Sequence, residues 1–241
     1  MFLHIQPEWQ EILKHNRLDN YQALLGFTND SCMSSHTRGA TWRHTLSNGQ
    51  TIFIKQDYFT KIAVACRYLL RGKKPLCNTA KERHALALAA QHGFVVPEII
   101  AWGEERRFGL PHTGVMIMLP VAGVPIDHFA ANPENHDQAQ EAIAQAERTL
   151  ARLQDCRLDW KTDCKPEHFF VRPDGSIALI DLERLRLRKK PLPKDYRNMQ
   201  LRRFRSLLPK PFNHGLPRIV SRRRLRRAKM ASNNQGALAS N

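Results

Sequence analysis

The cluster Arg172-Pro173-Asp174-Gly175-Ser176, set between the apolar runs at residues 169–171 and 177–180, constrains this chain more than any other stretch. Proline, an Asp-Gly pair and serine between two short apolar runs predict a β-hairpin, since glycine tolerates the positive φ that tight turns demand. An aspartate stands on either side. Asp163 lies in Thr162-Asp163-Cys164-Lys165-Pro166-Glu167-His168, and Asp181 follows eighteen residues later in Ile180-Asp181-Leu182-Glu183. The hairpin is expected to carry both acids to one edge. Carboxylates so placed suggest phosphoryl transfer, one on a loop beside an attacking hydroxyl and one at a strand end where it can hold a divalent cation.

The rest of the chain supplies an order of elements. With 241 residues at 42% hydrophobic, it can bury a core as one large domain or two lobes. Ser47-Asn48-Gly49-Gln50 between residues 42–46 and 51–55 predicts a second hairpin, with Lys55 at a strand end. Residues 79–92 are rich in Ala and Leu and stop at Gly93, which predicts a helix with Glu82 in its first turns. Residues 95–101 and 115–119 read as strands, and Pro120-Val121-Ala122-Gly123 as a linker. Ala139, Ala142, Ile143, Ala146, Leu150 and Leu153 recur at helical spacing, predicting a helix over residues 137–153.

Composition excludes several classes. Five scattered cysteines form no C-x-x-C pair, so neither a disulfide framework nor a zinc site is indicated, and a reducing cytoplasm fits. No apolar run approaches the roughly 20 residues of a spanning helix, and the start lacks a secretory signal. The net charge of +16 is carried by one end: from Arg184 onward there are 18 Lys or Arg and one acid, Asp195. Runs such as Arg202-Arg203-Phe204-Arg205 and Arg222–Arg227 suit a dense anionic surface, whether phospholipid, phosphorylated glycolipid or nucleic acid. Only Tyr196, Phe204 and Phe212 could stack on bases there and no reader motif occurs, so a specific nucleic acid is not expected.

Strand lysine, helix glutamate, two strands, linker, long helix, loop aspartate, hairpin and strand-end aspartate follow one another as in the protein-kinase-like fold. The resemblance covers roughly residues 30 to 190, and Asp163-Cys164-Lys165-Pro166-Glu167-His168 resembles the catalytic loop with its Lys-Pro-Glu core. It implies an α+β bilobal fold: a nucleotide-binding N-lobe within residues 1–120, a helical catalytic C-lobe over 121–210, and a flexible basic tail at 211–241. The departures point away from protein substrates. Lys161-Thr162-Asp163 stands where protein kinases have His-Arg-Asp, His168 replaces an asparagine metal ligand, Asp181-Leu182-Glu183 replaces Asp-Phe-Gly, and Gly39 is the sole glycine of the phosphate-covering segment.

One branch is similar in these very departures: the lipopolysaccharide core kinases, the WaaP-like Kdo and heptose kinase family of Gram-negative bacteria. The similarity rests on Arg38-Gly39-Ala40-Thr41-Trp42-Arg43, on Lys55 in Ile52-Phe53-Ile54-Lys55, on Asp163, Cys164, His168 and Phe169, and on Ile180-Asp181-Leu182 followed by arginines. His168 resembles the heptose more than the Kdo kinases. The resemblance implies ATP and Mg2+ as cofactors and a lipopolysaccharide core or lipid A glycolipid as acceptor. It places the enzyme peripherally at the cytoplasmic face of the inner membrane, with its basic tail toward the anionic leaflet. Asp163 and Lys165 would be catalytic, Lys55, Glu82 and Gly39 would bind nucleotide, and His168 and Asp181 would hold metal. A kinase for another small molecule or a protein, a degenerate kinase fold and a basic nucleic-acid-binding protein stay open at this point. Taken singly, Asp163 also reads as a turn cap, Glu82 as a surface glutamate and His168 as a core histidine. The stretch with Arg67, Arg71, Lys73 and Lys74 reads equally as an acceptor-facing loop or a plain surface helix.

Overall fold

The computed structural model describes residues 1–213. The run Arg222–Arg227, the small polar residues 231–241 and all but the first residues of the expected 211–241 tail lie outside the described residues. The chain divides into two compact units, the first comprising Met1–Gly123 with Ala178–Arg186, the second Val124–Ile177 with Leu187 onward.

The first unit is built on six strands, β1 (Phe2–Ile5), β2 (Cys32–His36), β3 (Gly39–Thr45), β4 (Thr51–Asp57), β5 (Ile99–Arg107) and β6 (Leu110–Met118). They form one sheet in the order β1-β5-β6-β4-β3-β2, and the registered pairs are antiparallel. Asn48-Gly49 closes the β3–β4 turn as expected: Gly49 takes φ 83°, and Leu46 N–H donates to the Gln50 carbonyl at 2.8 Å. The expected strand at 95–101 is displaced toward the C-terminus. Pro97 interrupts Val95-Val96, and the strand proper begins at Ile99.

Alternation along β4 sorts its side chains to two faces. Ile52 and Ile54 pack into a core with Trp9, Leu13, Tyr21 and Leu24 from the helices α1 (Gln10–His15) and α2 (Tyr21–Leu25). Gln56 follows them, donating to the carbonyls of Leu24 and Phe27, both at 2.8 Å. Lys55 and Asp57 point the other way, toward a helix that follows. After the short helix α3 (Ile62–Leu69) comes α4 (Asn78–Gln91), whose buried stripe of Thr79, Glu82, Ala85, Leu86 and Ala89 has helical spacing. Gly93, at φ 73°, ends it. Gly114 of β6 permits close approach of the α4 entry, because a Cβ there would lie 2.3 Å from Thr79 Oγ1.

The second unit holds β7 (Val124–Pro125), the helices α5 (Ile126–Ala131) and α6 (His136–Asp155), β8 (Leu158–Asp159), β9 (Phe169–Val171) and α7 (Lys194–Ser206). Helix α6 buries Ala139, Ala142, Ala146, Leu150 and Leu153 along one stripe. Strands β9 and β10 (Ile177–Leu179) flank the Arg172–Ser176 turn in sequence. Arg172 N–H donates to the Ser176 carbonyl at 2.9 Å, and the Asp174 carboxylate accepts from Ser176 N–H at 3.0 Å. The remaining strand, β11 (Arg186–Leu187), precedes α7.

The basic stretch after Arg184 is folded through α7. Helix α7 buries Gln200, Arg203, Phe204 and Ser206, and Phe204 packs edge-on against Phe169 at 4.9 Å.

Candidate active site

Lys55 Nζ of β4 meets both carboxylate oxygens of Glu82, at 2.5 and 2.7 Å. Glu82 belongs to the buried stripe of α4, so the carboxylate is enclosed and not a surface group, whereas the Lys55 side chain keeps 22% of its surface. Burial works against the Lys55 ammonium, but the charge and hydrogen bonds of Glu82 outweigh it and hold the lysine above its ordinary value. The fields of Asp181 and Glu183 add to this upward push, so Lys55, Glu82 and Asp181 are brought together within the first unit. Asp181 takes φ 54°, a left-handed conformation that aspartate tolerates better than most residues. Leu182 beside it is fully buried, and Leu185 N–H closes a turn on the Leu182 carbonyl at 2.8 Å. Asp181 and Glu183 stay exposed on that turn.

A second carboxylate sets the geometry of this pair. Cys77, at the N-cap of α4, offers no capping side chain. Asp57, two residues beyond Lys55 and on the same face of β4, supplies the acceptor: its carboxylate takes the Asn78 N–H at 2.5 Å. Asp57 is 2% exposed, and burial raises its pKa to about 6 against the opposing Asn78 bond and the Lys81 charge.

Gly39 starts β3 after the Thr37-Arg38 turn and pairs with His36 and Asp57. A Cβ at this position would lie 2.2 Å from the Gln56 carbonyl oxygen, so glycine is required by contact with β4. The segment expected to cover phosphates is therefore a β2–β3 hairpin beside the lysine strand.

Asp163, Lys165 and His168 share one loop of the second unit. Asp163 N–H donates to the Trp160 carbonyl at 3.2 Å, Lys165 N–H to the Asp163 carbonyl at 2.7 Å, and His168 N–H to the Lys165 carbonyl at 3.0 Å. His168 is buried against the Trp160 ring, 5.8 Å away, and its Nδ1 lies 2.8 Å from the Asp163 carbonyl. A carbonyl only accepts, so Nδ1 donates to it, while Nε2 lies 3.4 Å from the Glu167 carboxylate. Lys165 Nζ donates to Glu167 at 2.6 Å.

Sequence reasoning passed over Asp159, which anchors this loop. It is fully buried, accepts from Lys161 N–H at 2.8 Å and pairs with Arg188 at 3.0 Å, while Gln200 and Tyr196 donate to it at 3.2 Å each. Lys161 enters the loop at φ 57°. From α7, Arg203 donates to the Thr162 carbonyl at 2.5 Å, and Cys164 is sealed below with its pKa raised to about 12 by burial. The Cys164 thiol is therefore a packing group.

The residues fit a nucleotide bound with magnesium in kind. Lys55 is a positioned, partly exposed cation. Asp181 and Glu183, in the same unit, offer the oxygen donors that magnesium prefers. No group of three or more His, Cys, Asp or Glu among the described residues forms a ready-made metal cage.

The sequence model of the lipopolysaccharide kinase (Kdo/WaaP) family matches residues 22–218. No curated protein matches the chain. Among solved structures, WaaP in complex with acyl carrier protein aligns with a TM-score of 0.60 at 18% identity, covering 84% of this chain and 79% of that one. A MAP kinase from Leishmania major aligns with a TM-score of 0.44 at 11% identity, over 82% of this chain and 60% of that one. The likeness to the WaaP structure is one of fold, an α+β protein-kinase-like fold with a β-rich N-lobe and a helical C-lobe.

Proposed function

The chain belongs to the lipopolysaccharide kinase (Kdo/WaaP) family and is a phosphotransferase, and on that premise we propose that it transfers phosphate from ATP to an inner-core sugar of lipopolysaccharide, heptose in preference to Kdo. The buried Lys55–Glu82 pair beside Asp181 carries the catalytic part of this reading. The preference for heptose is supported by His168 five residues after Asp163.

Magnesium-ATP, when bound, supplies the phosphoryl group and spreads the charge that develops in transfer. Lys55, kept protonated and aimed by Glu82, would position the α and β phosphates, and the Gly39 hairpin would cover them. Asp181, with His168 through Nε2, would hold the cation. Asp163 would orient the acceptor hydroxyl and take its proton, and Lys165, released from Glu167, would steady the γ-phosphate. Rate enhancement then comes from positioning and electrostatic stabilisation. Among the described residues no helix is long and apolar enough to cross a membrane. The enzyme would work peripherally at the inner membrane, with the exposed basic residues after Arg184 that come near the surface drawn to anionic lipid at about 1 kcal/mol each.

Purified protein incubated with ATP, magnesium and dephosphorylated core lipopolysaccharide is expected to place phosphate on the core sugar. Asp163→Ala is expected to abolish transfer. Undiminished transfer by that variant would remove the mechanism, and phosphate on Kdo alone would remove the heptose assignment.

A further inference from the structure

Between Asp57 and Glu82 the sequence has six basic residues and no acid. Within this interval α3 buries only Ala65 and leaves Ile62, Leu69 and Leu70 exposed, Leu70 at 89%. The helix closes in a tight turn, with Leu70 N–H on the Cys66 carbonyl at 2.9 Å and Gly72 N–H on the Leu69 carbonyl at 2.8 Å. Gly72 takes φ 62° in this turn, and the two leucines are held outward. Arg67, Arg71, Lys73 and Lys74 surround them, all exposed.

A second apolar tip stands beside this helix. The β5–β6 hairpin turns at Phe108-Gly109, with Phe108 fully exposed at φ 50°. Phenylalanine gains nothing there from packing, and a left-handed position favours Asn or Gly. Two contacts tie the hairpin to the α3 region: Arg106 donates to the Pro75 carbonyl at 3.1 Å, and Thr60 N–H donates to the His112 carbonyl at 2.8 Å. Arg106 and Arg107 are paired with Glu104 and Glu105, so the uncompensated charge belongs to the α3 side.

We infer that the α3 leucines and Phe108 form a membrane-docking surface that enters the interfacial layer of an anionic phospholipid bilayer, with the surrounding Arg and Lys at headgroup level. Protruding apolar tips suit a fluid bilayer, which needs no matching shape, and the basic ring supplies the electrostatic attraction. An acidic protein partner would satisfy the charges but would leave Leu70 and Phe108 in need of dedicated pockets. The surface lies wholly in the first unit. It rests on the reading of a membrane-borne acceptor only for its purpose.

The full chain is tested by co-sedimentation with vesicles of phosphatidylcholine containing phosphatidylglycerol, and with phosphatidylcholine alone. The parent is expected to prefer the anionic vesicles, and a Leu69→Ser/Leu70→Ser variant and Phe108→Asn are each expected to weaken binding roughly tenfold or more. Because asparagine suits φ 50°, Phe108→Asn is expected to leave the melting temperature unchanged or higher, which separates docking from folding. Phosphorylation of detergent-dispersed acceptor should be unaltered in both, so a wrong docking surface and a wrong activity give different results. Variants that sediment like the parent would overturn the inference, and so would a parent indifferent to anionic lipid, which would leave the patch to an acidic protein.

Discussion

Asp57 and Asn78 are joined by a 2.5 Å hydrogen bond from backbone to carboxylate, and this bond fastens the strand that carries Lys55 to the first residue of the helix that carries Glu82. Strand and helix are connected in sequence by the largely exposed, basic α3 segment. The alignment of the Lys55–Glu82 pair therefore depends on a residue that touches neither member.

Asp57 predicts a pH dependence. Its folded pKa of about 6 stands above the usual 3.8 because burial disfavours the charge. The stability gained from its protonated form is complete below about pH 4 and is lost as pH rises through about 6. Asp57→Asn keeps an acceptor without the charge. Urea unfolding at pH 4 and pH 7 should show the variant gaining on the parent by on the order of 2 kcal/mol between the two. Asp57→Ala is expected to lose about 1–2 kcal/mol through the missing cap and to raise KM for ATP.

For the Lys55–Glu82 pair, stability and activity should separate. Lys55→Met strands a buried carboxylate and is expected to cost about 3 kcal/mol by thermal or urea unfolding. Lys55→Met combined with Glu82→Leu removes both charges and should recover most of that loss. Both variants are expected to be inactive in phosphoryl transfer, and activity returning with stability in the double variant would contradict the role given to Lys55.

Asp159 offers a test from the second unit. Its removal leaves Arg188, Gln200 and the Lys161 N–H without their shared acceptor. Asp159→Ala is expected to cost about 3–5 kcal/mol. At temperatures where the variant is still folded, kcat should fall, because Asp163 follows directly from the loop that Asp159 pins. Asp159→Asn should restore part of the stability, and an unaltered kcat in the folded Ala variant would show that the loop holds itself.

The elements that could be read in advance are those whose signal is local. Asn48-Gly49 dictates its turn, the Ala and Leu of α4 and the stripe of α6 dictate helices, and Arg172–Ser176 dictates its turn. What escaped depends on partners far along the chain. Glu104, Glu105, Arg106 and Arg107 hide the second half of β5, since ion pairs and the pairing with β6 carry them. Asp159 reads as an ordinary aspartate until Arg188, 29 residues on, and Gln200, 41 residues on, reach it. Asp57 escaped for the same reason, since its meaning depends on a helix start 21 residues away. Lys55 and Glu82 were legible because their spacing follows a recurrent order of elements. Their enclosure could be learned only from packing.

The arginines of α7 complicate any truncation experiment. Arg203 props the carbonyl just ahead of Asp163, Arg205 clasps Glu147 of α6, and Phe204 lies under Phe169. A cut at Arg184, where the positive charge begins, would take away the floor on which the Asp163 loop stands. Shortened proteins meant to isolate the effect of C-terminal charge should keep every residue through Asn213.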